Sequence, residues 1–178
     1  MDTIRIRRDP DWFPLLEGLR LTYHHTSTEF EEVETAEILF TDIRAFRDDC
    51  LAKAVLTRTR MGGSVTKEYE VRKSAREVFS ASGVLGCARL EYPLPALPGK
   101  EWDTSPDRHR IASIDETIAV PAGKFRGCLR VNTYLAGGDA GSAIRYYAPG
   151  VGYVYEEVSG ETAGARVCLV SIQLPKPH

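Results

Sequence analysis

No run of about 18 apolar residues occurs in this 178-residue chain, so it offers no helix able to span a membrane. Neither sign of charge dominates, with 23 Lys and Arg against 25 Asp and Glu. A nucleic-acid surface needs a basic excess on one face, so no nucleic-acid partner is expected. The richest basic stretch, Arg5, Arg7 and Arg8, reads as a solvated N-terminal segment. Cysteine is scarce and scattered. Cys50, Cys87, Cys128 and Cys168 form no CxxC pair, on which structural zinc usually draws, and no metal is expected. All four read as thiols. Cys128 and Cys168 sit in apolar, strand-like runs, where a thiol behaves as a small hydrophobe; a bond between them is the alternative in an exported protein. The opening MDTIRIRRDPDWF lacks the apolar core and small-residue cleavage site of a secretory signal. Read as written, the chain is expected in the cytoplasm, with the cell envelope as the alternative if an export signal has been removed.

Catalytic signatures are missing as well. GxSxG, Walker and HExxH patterns do not occur, which removes the simplest hydrolase and phosphate-binding hypotheses. GGDAGSA, Gly137 to Ala143, is similar to the nucleophile loop of trypsin-like proteases but carries Ala140 where the serine would stand, so it reads as a β-turn loop. His24 and His25 are adjacent, and in a strand their rings point to opposite faces, so a polar edge or surface role is expected rather than a shared ion. His109 and His178 have no ligand-spaced partners. The neighbouring carboxylates Asp48 and Asp49, Asp115 and Glu116, and Glu156 and Glu157 diverge in a strand for the same reason. Paired acid–base work needs convergence, so they read as solvated or turn residues. No catalytic residue and no cofactor is assigned, and an enzyme is not the expected class.

What is present is the pattern of an antiparallel sheet. With 43% hydrophobic and 27% charged residues the chain suits one soluble globular domain, residues 1–178, of a size that buries roughly 70% of the surface its unfolded form exposes. Turn signals recur, and the segments between them alternate with a period of two. Strands are expected at Leu19 to Thr26, Ala52 to Met61, Val65 to Lys73, Glu77 to Ala81, Ile111 to Val120, Phe125 to Leu135, Ala143 to Ala148, Tyr153 to Val158 and Ala165 to Leu174. Short polar turns between successive strands make a meander. Glu29 to Cys50 is ambiguous. As a helix it aligns Phe30, Val33, Glu37, Phe40, Ile43, Arg47 and Cys50, a stripe weakened by two charges. As a strand from Ala36 to Phe46 it continues the meander through a turn at RDD, and this reading is preferred. YPLPALPGKEW, Tyr92 to Trp102, cannot lie in a central strand because its prolines remove backbone donors; it is expected to cross the sheet as a packed loop. The fold class is therefore all-β, with room for one short helix, as a curved antiparallel meander sheet or half-barrel.

The corner in RYYAPGVGYVYEE, Arg145 to Glu157, is the most explicit hairpin. Pro149 and Gly150 fit a type II turn, with proline fixing φ and glycine accepting φ > 0. A four-residue loop from Pro149 to Gly152 pairs Ala148 with Tyr153, Tyr147 with Val154, Tyr146 with Tyr155 and Arg145 with Glu156. The last two pairs each contribute roughly 0.2 to 1 kcal/mol. Ile144, Tyr146, Ala148, Tyr153 and Tyr155 then share a face expected to point inward, and Arg145, Tyr147, Val154 and Glu156 share the other. Pro149, Gly150 and Gly152 are structural turn residues that set this register. A three-residue loop would reverse the faces of one strand.

VPAGKFRGCLRV, Val120 to Val131, and YYAPGVGYVYEE, Tyr146 to Glu157, resemble two signature stretches of an uncharacterised family of bacterial β-rich domains. TKEYEVRKSAREVF, Thr66 to Phe79, and YPLPALPGKEWD, Tyr92 to Asp103, stand in the expected order, so the resemblance spans about Trp12 to Leu174. It implies a curved half-barrel like that of the outer-membrane lipoprotein carriers, in proteins often exported or lipid-anchored. No binding or catalytic residues are established for that family, so it implies none here. From the residues themselves, Trp12, Phe13, Trp102, Tyr146, Tyr153 and Tyr155 are aromatic enough to line a concavity. Trp102, Tyr146, Tyr153 and Tyr155 are taken as the ligand-binding candidates. The expected function is a non-catalytic binding domain for an apolar small molecule or lipid in the concave face. The alternative is a protein-interaction or scaffold module that pairs a sheet edge with a partner strand. A large empty concavity favours the first, and a solid core with a long unpaired edge favours the second.

Overall fold

A computed structural model describes residues 10–176, so Arg5, Arg7, Arg8 and His178 lie outside the described residues. Twelve strands form one sheet: β1 (Arg20–Ser27), β2 (Phe30–Phe46), β3 (Asp49–Arg60), β4 (Gly63–Lys73), β5 (Glu77–Ser80), β6 (Arg89–Pro93), β7 (Glu101–Thr104), β8 (Asp107–Val120), β9 (Gly123–Leu135), β10 (Gly141–Ala148), β11 (Gly152–Gly160) and β12 (Gly164–Gln173). The order β6-β5-β4-β3-β2-β1-β12-β11-β10-β9-β8-β7 is two meanders joined where the first strand pairs with the last. All neighbours are antiparallel, and no helix occurs among the described residues. The sheet curls into a nearly closed barrel whose edge strands, β6 and β7, approach each other without a hydrogen-bonded ladder.

The ambiguous segment is strand β2, starting at Phe30 rather than Ala36 and turning at Arg47 and Asp48. Its burial alternates through Glu34, Ala36, Ile38 and Phe40, the period of a strand with one face on a core. The proline-rich segment crosses as a loop only over residues 94–100. Its ends are the short edge strands β6 and β7, where the missing N–H of Pro93 breaks no central ladder. The four cysteines are free thiols; Cys128 on β9 and Cys168 on β12 are separated by β10 and β11 and form no bond.

The N-terminal segment completes the core. Trp12 and Phe13 are buried inside the barrel, where Trp12 Nε1 donates to the Gly127 carbonyl at 2.8 Å. Phe13 meets the edge of Phe40 with ring centroids 6.3 Å apart. The corner holds this segment in place, since the Gly150 N–H donates to the Asp11 carbonyl at 2.8 Å.

The corner itself departs from expectation in an instructive way. The Val151 N–H donates to the Ala148 carbonyl at 3.1 Å and Gly150 has φ of 72°, the type II turn that Pro149 and Gly150 predict. The loop has three residues, however, because Ala148 pairs with Gly152 and Tyr147 with Tyr153. Val154 is then the extra residue of a β-bulge, which restores the expected pairs Tyr146 with Tyr155 and Arg145 with Glu156. Ala148 and Tyr153 are buried as expected, but the faces of Ile144 to Tyr147 and of Tyr155 and Glu156 are reversed. Arg145 and Glu156 are each 3% exposed and Tyr147 is fully buried, while Ile144, Tyr146 and Tyr155 are only half-buried on the outer side. Burial of the charged pair rests on partners from β6, which no local pattern indicates.

Replacing Trp12 with Ala is expected to cost about 3 to 5 kcal/mol, as large-to-small changes of buried aromatics do. Urea unfolding should show a lower midpoint at unchanged slope. The exposed Phe46→Ala should stay within about 0.5 kcal/mol of wild type. Equal, small effects of the two changes would show that the N-terminal segment does not dock.

Candidate functional site

The interior centres on an ion cluster that crosses the lumen. Arg89 and Glu91 lie two apart on β6, where a register shift against β5 leaves Glu91 as the extra residue, and both side chains reach the lumen. Arg89 Nη1 donates to both Glu156 carboxylate oxygens, at 3.0 and 2.7 Å, and Arg89 Nε donates to Glu91 at 2.9 Å. The Tyr147 hydroxyl donates to Glu91, and the Tyr153 hydroxyl donates to Glu156 at 2.7 Å. Tyr153 and Glu156 are three apart and would face opposite ways in a regular strand. The bulge at Val154 brings both inside. Tyr23 Oη closes the set by donating to the Tyr153 carbonyl at 2.8 Å.

The charges balance. Arg145, buried on β10, faces the same cluster and donates from Nη2 to the Glu91 carbonyl at 3.4 Å. Burial works to raise the Glu156 carboxyl, but Arg89 and Arg145 with the Tyr153 hydroxyl hold it below the usual carboxylate value of 4.5. Burial pushes the Tyr153 and Tyr147 phenols well above the usual 10.0. Chemically, the carboxylates are consumed by arginine and tyrosine donors. The arrangement ties β6 to β10 and β11 and presents no free nucleophile.

Beside the cluster lies a void of about 20 Å³, walled by Phe13, Tyr23, Phe40, Tyr69, Val84 and Tyr153, with Ser80 and Arg89 at its polar side. That is space for about one water molecule.

Two further polar groups flank the lumen. Glu34, almost fully buried on β2, accepts from Arg58 Nη1 and Arg60 Nε, both at 2.7 Å, and contacts His25 Nδ1 at 3.0 Å. Arg58 also reaches the Gly83 carbonyl at 3.2 Å, tying the β5–β6 loop to the barrel rim. Near the β6–β7 seam, Trp102 stacks on His109 at 5.2 Å and 18°. His109 contacts Thr104 through Nε2 and Thr133 through Nδ1 at 2.8 Å. Burial, then Arg145, pushes the His109 imidazole down to about 4.

The four aromatic candidates do not converge. Tyr153 lines the void, and Trp102 lies half-buried on His109. Tyr146 and Tyr155 meet edge-on at 6.0 Å on the outer side. Pro149, Gly150 and Gly152 shape the corner against Asp11, Trp12 and Pro14. The residues overlooked are Arg89, Glu91, Arg145, Tyr147 and Glu156, together with the buried His25 and Glu34. Glu156 is thus buried rather than solvated, although its neighbour Glu157 does diverge to the outside as expected. A usable signal did exist for part of the cluster, because the sequence pairs Arg145 with Glu156.

Comparison with solved structures places this fold among known ones. One similar structure is a candidate exported protein with a YmcC-like fold from Bacteroides fragilis, with a TM-score of 0.69 at 17% identity, covering 91% of this chain and 98% of that one. Another is a candidate lipoprotein from Parabacteroides distasonis, with a TM-score of 0.65 at 17% identity, covering 94% of this chain and 100% of that one. No family model and no curated protein matches the chain. At this identity the likeness establishes the barrel-like fold.

Arg89→Met keeps much of the side-chain volume but leaves Glu91 and Glu156 uncompensated, and is expected to cost about 3 to 5 kcal/mol in urea unfolding. A loss below about 1 kcal/mol would mean that the cluster does not bridge the lumen. The pH dependence follows from the shifted groups. His109 binds its proton less readily folded than unfolded, so its contribution is complete above the usual 6.5 and is lost as pH falls toward about 4. Glu156 and Glu34 are both held below 4.5, so their contributions disappear only as pH falls below that value. Wild type should lose stability across both windows, whereas His109→Asn should stay flat in the upper one. An identical upper slope in the two proteins would reject the assignment.

Proposed function

We propose that this chain is a non-catalytic binding domain of the bacterial cell envelope that engages another protein through its surface. The observation that carries this reading is the filled interior: the lumen holds Trp12, Phe13 and the ion cluster and leaves a void of about 20 Å³. Small-molecule sites usually offer about 300 to 1,000 Å³. The descriptions of the two similar structures, as candidate exported and lipid-linked proteins, support the envelope setting. A cytoplasmic location is the competing assignment.

A second reading, an apolar ligand in the lumen, is favoured by one feature. The void is walled by aromatic and aliphatic side chains, Tyr153 among them. Entry of a lipid requires Phe13 or Val84 to withdraw, because both are buried in that wall.

Native mass spectrometry of the purified protein separates the two. The surface reading expects the mass of the chain alone, and photo-cross-linking in cells from the exposed Val65 position should capture a protein. A retained lipid-sized mass released on denaturation would overturn it in favour of the lumen.

A further inference from the structure

The β4 strand carries an open edge over Ser64 to Glu68. The β3–β4 ladder runs without a register shift from Cys50 opposite Lys73 to Arg60 opposite Gly63. On its other side β4 meets β5 only from Val71 to Lys73, and the last bond of that side is the Ala81 N–H to the Glu70 carbonyl at 2.9 Å. The N–H and C=O of one residue point the same way in an antiparallel strand, and this direction alternates along the chain. Glu70 points outward, so Glu68, Thr66 and Ser64 do too. Among the described residues no hydrogen bond reaches the main-chain groups of those three. The other long strand near the seam, β8, is a poor template, since its pairing shifts register three times between Ile111 and Ile118.

The two faces flanking this edge differ in charge. Arg58 stands opposite Val65, and Leu56 opposite Lys67, so Arg58, Arg60 and Lys67 share the lumen-side face. There Arg58 and Arg60 pair with Glu34, and Glu32 stands two residues before it on the same face of β2, leaving a positive excess of about one charge. On the outer face Glu68 and Glu70 stand with Lys53, which pairs with Glu68 at 3.4 Å, and with Arg72, which pairs with Glu77 at 3.2 Å, so no positive excess arises there. Charged edges suppress indiscriminate strand addition and admit a complementary one.

We propose that β4 receives an extended segment of a partner protein as an added strand, and that this segment carries Glu or Asp at alternate positions on the lumen-side face, beside Lys67 and within the positive field of Arg58 and Arg60. The inference deepens the surface-binding reading and rests on it. Main-chain bonds to Ser64, Thr66 and Glu68 supply the docking, and the acidic side chains supply the selectivity.

The test is an NMR titration of the ¹⁵N-labelled chain with a ten-residue peptide of alternating Thr and Glu, and with its Thr and Lys counterpart. The acidic peptide should shift the amide signals of Ser64, Thr66 and Glu68 and bind at least about tenfold more tightly than the basic one. Thr66→Pro removes an outward N–H and leaves the β3–β4 bonds intact, so it should abolish the shifts while the rest of the spectrum is retained. Lys67→Glu, a second variant that leaves the backbone unchanged, should reduce or reverse the preference. No shift at these amides, or equal binding of both peptides, would overturn the proposal. Concentration-dependent changes of the same signals without peptide would overturn it in favour of a second copy of this chain. If the edge stays silent while cross-linking from Tyr134, exposed on β9 away from this edge, captures a protein, the edge fails and the binding-domain reading stands. A retained lipid together with a silent edge removes both.

Discussion

Arg89 is the group on which closure of the barrel depends. It sits on edge strand β6, which has no ladder to β7, and it reaches across the lumen to Glu156 on β11 while holding Glu91 on its own strand. The barrel is thus finished by side chains instead of by a backbone ladder. An apolar filling alone could accept several placements of β6. A guanidinium shared between two carboxylates accepts few, because its donors form a fixed planar fork. Desolvation offsets much of the Coulombic gain of such a cluster, so its main consequence is to select one closed arrangement.

A bulge makes that cluster geometrically accessible. Without the extra residue Val154, Tyr153 and Glu156 would face opposite sides of β11 and the Tyr153 hydroxyl would lose its acceptor. The same bulge lets a three-residue loop coexist with the pairing of Arg145 and Glu156, and the loop in turn holds Asp11 and the Trp12 segment against the barrel. One irregularity therefore couples the corner, the N-terminal segment and the ion cluster.

Filling the lumen moves the search for function to the surface. Carriers of apolar molecules need a cavity, and here the lumen is occupied by aromatic side chains and by a charge-balanced ion cluster. At the surface, the outward main-chain groups of β4 from Ser64 to Glu68 are without hydrogen-bond partners among the described residues, flanked by a basic excess on one face and by Glu68 and Glu70 on the other. Unpaired main-chain groups in a straight strand are a general means of capturing an extended peptide.

The all-β class, ten of the twelve strands and the type II turn at Pro149 and Gly150 were legible in the residues, because alternation and turn chemistry act over a few positions. The pairing of Arg145 with Glu156 was legible for the same reason, since hairpin register is local. The edge strands β6 and β7 were not, because prolines around them masked their short extended runs. Nor was the direction of the charged face. Whether Arg145 and Glu156 point into water or into the core depends on Arg89 and Glu91, more than 50 residues away in sequence, being there to compensate them. Local patterns therefore determined most of the strands and, in the one hairpin whose pairs they gave, two pairs of four. Tertiary structure alone decided which face is inside, because burying a charge is tolerable only when a partner from elsewhere in the fold meets it.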